Sequence, residues 1–273
     1  MGLTREKRTE FVMNIVPLSL WYAQHKTGDS DDPAVFHRIL TEQTPIYRLT
    51  ELWDRRHHPA SGTWRDERWE PIVRELYNLL RTRPAVLEAA GTKLLAPLVL
   101  ARIESDLRAW PWTPCGYCPY PLPAANIFGV FVWEKVKSAS SAEEFISFHV
   151  GNAKVPHSPF EDMQQLRSEL VSLVADVMSR HPEVKNIGCN SWLNCFPPFL
   201  SLFPAEWPQR ENVPENVSYG YNWWGQFVSR TGGFHFRNAE LLRNTGNFPF
   251  PACDGFCTLA ELYRHLARNH VRV

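Results

Sequence analysis

Two stretches of this chain collect side chains that could do chemistry, and the first is FISFHVGNAKVPHSPF, residues 145–160. Apolar and polar residues alternate along its first half, which is typical of a strand. His149 falls at the end of that strand, where a neutral imidazole could transfer protons. Asn152 and His157 follow in a loop and could bind a substrate. Asn152 could orient a polar or oxyanionic group. His157 immediately precedes a helix, and the backbone N–H groups at a helix start favour an anion.

Both histidines also have a structural alternative. His149 could hydrogen-bond to the backbone at the edge of a core, since a polar residue near a core is only a statistical marker of function. The helix after His157 begins with a capping box, Ser158 and Glu161, which would already occupy the helix N–H groups. The sequence therefore favours His149 as the functional histidine.

The second stretch is GCNSWLNCF, residues 188–196. Cys189 or Ser191 could act as a nucleophile if a histidine lay within hydrogen-bonding reach. The candidates for substrate binding are their polar and aromatic neighbours Asn190, Trp192 and Asn194. The alternative for Cys189 is a buried thiol that packs as a small hydrophobic side chain.

Four cysteines could bind a metal. Cys115 and Cys118 have the two-residue gap of many zinc sites, and Cys253 and Cys257 have an acceptable three-residue gap. Together they could form a four-thiolate structural zinc site, and with a histidine they could form a catalytic one. Because spacing is a weak constraint for distant pairs, free thiols are favoured and zinc stays an alternative.

Aromatic side chains are concentrated in VSYGYNWWGQFVSRTGGFHF, residues 217–236. Tyr221 and Trp224 could wall an apolar pocket in which His235 orients a ligand. The alternative is an ordinary aromatic core. A strand is predicted within residues 216–230.

The elements around the two polar stretches should bring them together. Residues 126–136, NIFGVFVWEKV, predict an apolar strand that pairs antiparallel with the strand beginning at residue 145. After the helix that Ser158 begins, residues 183–190 predict a strand parallel to the first, through a right-handed crossover. Because ligands collect beyond the carboxyl ends of parallel strands, both stretches are expected to border one cavity.

Helical periodicity dominates the first part of the chain, over residues 63–84 and 91–110 and in two shorter helices between 33 and 56. A proline-rich segment follows. A last helix begins at a second capping box, Thr258 and Glu261. The prediction is an α+β fold, with a helical N-terminal region over 1–110 and a small mixed sheet with flanking helices over 111–273, packed as one globular unit.

Composition excludes several classes of protein. The chain has 273 residues, 44% of them hydrophobic, which suffices for a sizeable core. Lys plus Arg equals Asp plus Glu, 29 each, so no net field attracts nucleic acid or an anionic membrane. No stretch has the roughly 20 apolar residues of a membrane span, and no export signal is recognised. Reduced cysteines and a cytoplasmic location are therefore predicted.

Phosphate-binding loops and dinucleotide-binding glycines are missing from the sequence. The sequence predicts an intracellular enzyme that acts on a small, partly apolar or aromatic molecule by general acid–base chemistry, of lyase, cyclase, isomerase or hydrolase type, without a nucleotide cofactor. One alternative is a binding or interaction protein stapled by zinc. A further alternative is a metal-dependent enzyme with histidine and cysteine ligands.

Overall fold

The computed structural model describes residues 5–49, 67–82, 123–137, 143–151, 154, 156–209 and 212–270. These residues divide into two compact units. The sheet unit contains the described residues from 123 to 215 and from 250 to 270, and the helical unit contains those from 5 to 82 and from 216 to 249. The segment 216–249, which the sequence assigns to the α+β region, thus belongs to the helical unit.

The regular elements confirm the predicted α+β fold class. Helices α1 to α8 of the described residues span Arg5–Thr27, Pro33–Arg38, Trp69–Thr82, Met163–Arg180, Pro197–Leu200, Tyr221–Trp224, Phe236–Thr245 and Leu259–His270. Strands β1 to β6 span Ile127–Phe128, Phe131–Lys137, Glu144–Val150, Asn186–Ser191, Pro208–Gln209 and Cys253–Thr258. Of the helices described, none is both long enough and apolar enough to cross a bilayer.

The six strands form one mixed sheet in the order β1-β2-β3-β4-β6-β5. The predicted hairpin is confirmed, because β2 and β3 run antiparallel with Trp133 opposite Phe148. The predicted parallel pairing is also confirmed: β3 and β4 are parallel, with Ser147 opposite Gly188, and α4 lies between them in the chain. The antiparallel strand β6, between β4 and β5, is one that the sequence pattern does not predict.

Side chains alternate between two faces of this sheet, and one face carries the core. Ile146 and Phe148 of β3 and Ile187 of β4 are almost completely buried there. Their cluster includes the apolar side chains of α4 and α8, namely Leu166, Leu170, Leu173, Val174, Val177, Leu262 and Leu266. The residues between them along each strand point to the opposite side, which we call the second face.

Both helices of the core face begin at side-chain caps. The predicted box of Ser158 and Glu161 is present, but it closes a short 3₁₀ turn that precedes α4. The N-cap of α4 is Asp162, whose carboxylate accepts a 2.8 Å hydrogen bond from the backbone three residues on. At α8 the predicted box is confirmed: the N–H of Thr258 donates to Glu261, and the N–H of Glu261 donates to the Thr258 hydroxyl, at 3.0 and 3.1 Å.

The helical unit has an aromatic core. The predicted helix within residues 63–84 is confirmed as α3, whereas its predicted first residues, 63–66, and the predicted helix over 91–110 lie outside the described residues. Tyr22 of α1 meets Trp224 of α6 edge to face, with ring centroids 5.5 Å apart, and both rings contact Phe248. The indole N–H of Trp224 donates to the backbone oxygen of Gln43 at 2.7 Å.

The strand predicted within residues 216–230 is wrong. The segment forms α6 and a 3₁₀ turn, because the backbone N–H groups of Trp223 and Trp224 both bond back to the oxygen of Gly220, at 3.1 and 3.0 Å. Adjacent residues on a strand would point to opposite faces. The helical turn instead buries both tryptophans in one unit.

Candidate functional site

Four polar residues line up across the second face, one from each of four neighbouring strands. Asn190 of β4 lies opposite Asp254 of β6, and Gln209 of β5 lies opposite Asp254 on its other side. His149 and Asn190 lie two residues beyond the directly paired residues of β3 and β4, so they share this face and this level of the sheet. We call His149, Asn190, Asp254 and Gln209 the polar row. All four are exposed or half-exposed.

His149 is held by a carboxylate on the adjacent strand. Its Nε2 lies 2.9 Å from Oε1 of Glu134, which is a diagonal cross-strand contact because Glu134 pairs with Ser147. The hydrogen bond from His149, helped by the attraction between the two groups and opposed by burial, lowers the pKa of Glu134. An ionised Glu134 only accepts, so Nε2 is the donor nitrogen. The imidazole is 55% exposed, and among the described residues Nδ1 has no hydrogen-bond partner.

An aromatic surface adjoins the polar row. Phe256 of β6 lies opposite Gly188 of β4, where an added Cβ would stand 3.0 Å from the Phe256 ring and 2.8 Å from the oxygen of Gly255. The ring therefore covers the space that the glycine leaves. Phe145 lies beside it, with ring centroids 6.3 Å apart at 66°. Because Phe256 is 41% exposed, the second face offers an apolar ring next to hydrogen-bonding groups.

The centre of the polar row is a second hydrogen-bonded pair. The Nδ2 group of Asn190 donates to Oδ1 of Asp254 at 2.8 Å. This bond fixes which end of the Asn190 amide is the donor. The row therefore presents an imidazole, a carboxylate and two amides along one line, as expected of a surface that orients a small polar group.

The predicted nucleophiles, Cys189 and Ser191, do not share a face with His149. They alternate with Asn190 along β4, so their side chains lie on the core face and the sheet separates them from the imidazole. The Ser191 hydroxyl accepts from the N–H of Leu193 at 3.1 Å and caps a 3₁₀ turn. Burial raises the pKa of the Cys189 thiol to about 12. A nucleophile at either position that His149 activates is incompatible with this fold.

The other two predicted binding residues of this stretch have structural contacts. Asn194 is completely buried. Its Nδ2 donates to the backbone oxygens of Cys189 and Cys253 at 3.0 and 2.7 Å, and its Oδ1 accepts from the indole of Trp207 at 2.9 Å. Trp192 is half-buried, and its ring contacts two phenylalanine rings at centroid distances of 5.7 and 6.5 Å.

The loop after β3 is joined to its own unit by ion pairs. Lys154 lies 3.8 Å from Glu169 of α4, whose other carboxylate oxygen accepts from the N–H of Val130 at 3.2 Å. His157 is 74% exposed and lies 3.4 Å from Glu161. The predicted binding residue Asn152 lies outside the described residues. His157 is on the surface, in the segment between β3 and α4.

The predicted aromatic binding residues belong to the helical unit. Trp224 is part of its core, as described above, and Tyr221 begins the same short helix. His235 is the N-cap of α7, where its Nδ1 accepts from the N–H of Asn238 at 3.3 Å. Core packing and helix capping therefore account for Trp224 and His235.

The four-cysteine zinc site, which the sequence leaves open as an alternative, conflicts with the geometry of β6. Cys253 and Cys257 lie four residues apart on this strand, so their Cα atoms are separated by about 13 Å. Two sulfurs on one zinc, at Zn–S distances of about 2.3 Å, lie roughly 4 Å apart. One zinc therefore cannot take both. Cys115 and Cys118 lie outside the described residues, and the described part of the chain contains no group of three or more His, Cys, Asp or Glu positioned to hold a metal.

Sequence reasoning missed Glu134, Asp254, Gln209 and Phe256. Glu134 carries a signal, since it is the first charged residue in an apolar strand next to the strand that bears His149. Asp254 and Phe256 alternate with Cys253, Gly255 and Cys257, but that pattern is too short to identify a strand by itself.

Comparison of the chain with protein-family models, with curated proteins and with solved structures finds no match. The class is therefore defined by the fold alone, an α+β protein with a six-stranded mixed sheet covered by helices on one face. Any function must be argued from the polar row and its surroundings.

Proposed function

We propose that this chain is an enzyme that acts on a small, partly aromatic molecule by general acid–base chemistry at the second face of its sheet, with His149 as the proton-transfer group. The observation that carries the proposal is the contact between His149 Nε2 and Glu134 Oε1 at 2.9 Å, on a ring that is 55% exposed. A carboxylate that fixes one imidazole nitrogen leaves the other as a base.

The proton would move to Nδ1. A substrate C–H or O–H beside the ring gives its proton to the Nδ1 lone pair, and the resulting imidazolium is stabilised by ionised Glu134. The lowered pKa of Glu134 keeps that charge in place near neutral pH. Return of the proton from Nδ1 to another atom of the substrate completes an isomerisation or an elimination.

Substrate preference follows from the groups around His149. Phe256 and Phe145, whose rings are inclined at 66° to each other, provide an apolar surface against which an aromatic or planar unsaturated molecule can pack. Asn190 and Asp254 lie at the same level of the second face as His149 and can orient a hydroxyl, amide or amino group. This combination favours an uncharged planar molecule over a polyanion.

The test combines a ligand screen with isotope exchange. Planar small molecules that raise the melting temperature of the wild type are incubated with the protein in D₂O, and replacement of C–H by C–D is followed by NMR. His149→Gln is expected to lower the exchange rate by about 100-fold or more, the contribution typical of a general base, while the ligand still binds.

His157→Gln is the matched control, because His157 also forms an exposed pair with a glutamate, at 3.4 Å from Glu161. It should leave the exchange rate unchanged. Equal exchange in wild type and His149→Gln would show that His149 is not the base.

A further inference from the structure

Two cysteines of the sheet unit face each other on the core side. The Sγ atoms of Cys195 and Cys253 are 3.3 Å apart, although 58 residues separate them in the chain. Both thiols also point to one backbone oxygen, that of Pro251, at 3.5 and 3.8 Å. The structure thus brings together two thiols from the end of a 3₁₀ turn and the start of β6.

The pair differs from the other thiols of the described residues. Burial raises the pKa of Cys189 and of Cys257 to about 12 in each case, which suppresses the reactive thiolate. Cys253 is also buried, at 2% exposure, whereas Cys195 is only partly buried. In such an arrangement the partly accessible thiol reacts first with an oxidant, and the buried thiol then attacks the mixed disulfide to form the protein disulfide.

We propose that Cys195 and Cys253 form a reversible intramolecular disulfide when the protein meets a small-molecule disulfide. The thiolate of Cys195 attacks one sulfur of the oxidant, which forms a mixed disulfide and releases one thiolate. Cys253 then gives its proton to that thiolate or to water and attacks the sulfur of Cys195, which expels the second thiolate. Two protein thiols are oxidised and one small disulfide is reduced to two thiols.

The geometry requires little movement for this step. A disulfide has an S–S distance of about 2.05 Å, so the two sulfurs must approach by about 1.3 Å. The bond would tie the 3₁₀ turn Trp192–Cys195 to the start of β6, next to the backbone oxygen that Asn194 already binds. The linkage lies on the core face and does not use the polar row.

The test uses the full chain and oxidised glutathione. Native wild-type protein is incubated with the oxidant, its remaining thiols are blocked with N-ethylmaleimide after denaturation, and tryptic peptides are identified by mass spectrometry. We expect a cross-linked peptide containing Cys195 and Cys253, the loss of two of the six alkylatable thiols, and their recovery with dithiothreitol.

Cys195→Ser should abolish this cross-link, whereas Cys257→Ser should leave it intact, since Cys257 lies on the same strand, buried, away from the pair. Alkylation of both Cys195 and Cys253 in oxidised wild type would overturn the proposal. A mixed disulfide with glutathione that stops at Cys195 would do the same. The proposal would also be overturned if one metal ion per chain protected both thiols from alkylation and a chelator removed that protection.

Discussion

Replacing Asn194 by alanine tests whether this residue serves the fold or a ligand. The completely buried amide joins three elements: its Nδ2 bonds to the oxygens of Cys189 in β4 and Cys253 in β6, and its Oδ1 accepts from Trp207. Alanine removes all three hydrogen bonds and leaves three polar groups without this partner. A buried group left unpaired costs about 1–3 kcal/mol, and local relaxation recovers part of it, so we expect a loss of about 3–5 kcal/mol.

Asn190→Ala is the matched control, because Asn190 lies four residues earlier in β4, is exposed, and donates to Asp254 at 2.8 Å. Its loss should cost no more than about 1 kcal/mol. Urea unfolding at pH 7 measures both variants. Each kcal/mol corresponds to about 2–4 °C in a chain of this size, so Asn194→Ala should melt about 6–20 °C below wild type.

A difference of less than about 1 kcal/mol between Asn194→Ala and Asn190→Ala would refute this reasoning, since it would mean that the buried bonds are replaced at little cost. The opposite pattern, with a stable Asn194→Ala that no longer binds the small molecules of the thermal-shift screen, would restore Asn194 as a binding residue. The two outcomes are distinguishable because unfolding and binding are measured separately.

Two further predictions concern the β1–β2 turn and the hydrogen bond between His149 and Glu134. Gly129 has φ +59°, and a Cβ there would collide with the carboxylate of Glu169, so Gly129→Ala should destabilise the protein by about 1–3 kcal/mol in urea unfolding; Glu169→Ala in the same chain should recover part of that loss. The hydrogen bond from His149 lowers the pKa of Glu134 in the folded protein below its ordinary value of 4.5. Ionised Glu134 therefore stabilises the folded state at pH values above 4.5, and this stabilisation is lost as the pH falls through the lowered pKa. Stability measured from pH 7 to pH 3 should therefore fall more steeply in wild type than in Glu134→Gln, and parallel curves would contradict the assignment.

The sequence predicts those parts of the fold that depend on residues close together in the chain. The hairpin of β2 and β3 and the capping boxes at Ser158 and Thr258 each depend on a few consecutive positions, and the structure contains all of them. Strand β6 is different. Its sequence CDGFCT contains Asp and Gly, which disfavour strands, and it is fixed by pairing with β4 and β5, each more than 40 residues away in the chain.

The face on which the candidate nucleophiles Cys189 and Ser191 lie also depends on contacts between residues that are distant in the chain. His149 and Cys189 lie near the carboxyl ends of two parallel strands, β3 and β4, as the sequence predicts. Whether they share a face depends on register, because a shift of one residue moves every side chain to the other face. The register of two parallel strands joined by a helix is set by packing across the whole sheet, which local pattern does not contain.

Strand alternation also separates the two proposals of function. Cys253 and Asp254 are adjacent in β6, yet the thiol lies on the core face and the carboxylate in the polar row. Cys195→Ser should therefore prevent disulfide formation without changing isotope exchange at His149. In turn, His149→Gln should stop exchange while the cross-link still forms. Loss of both properties in either variant would indicate that the two faces are coupled through β6, and the independence argued from alternation would then be wrong.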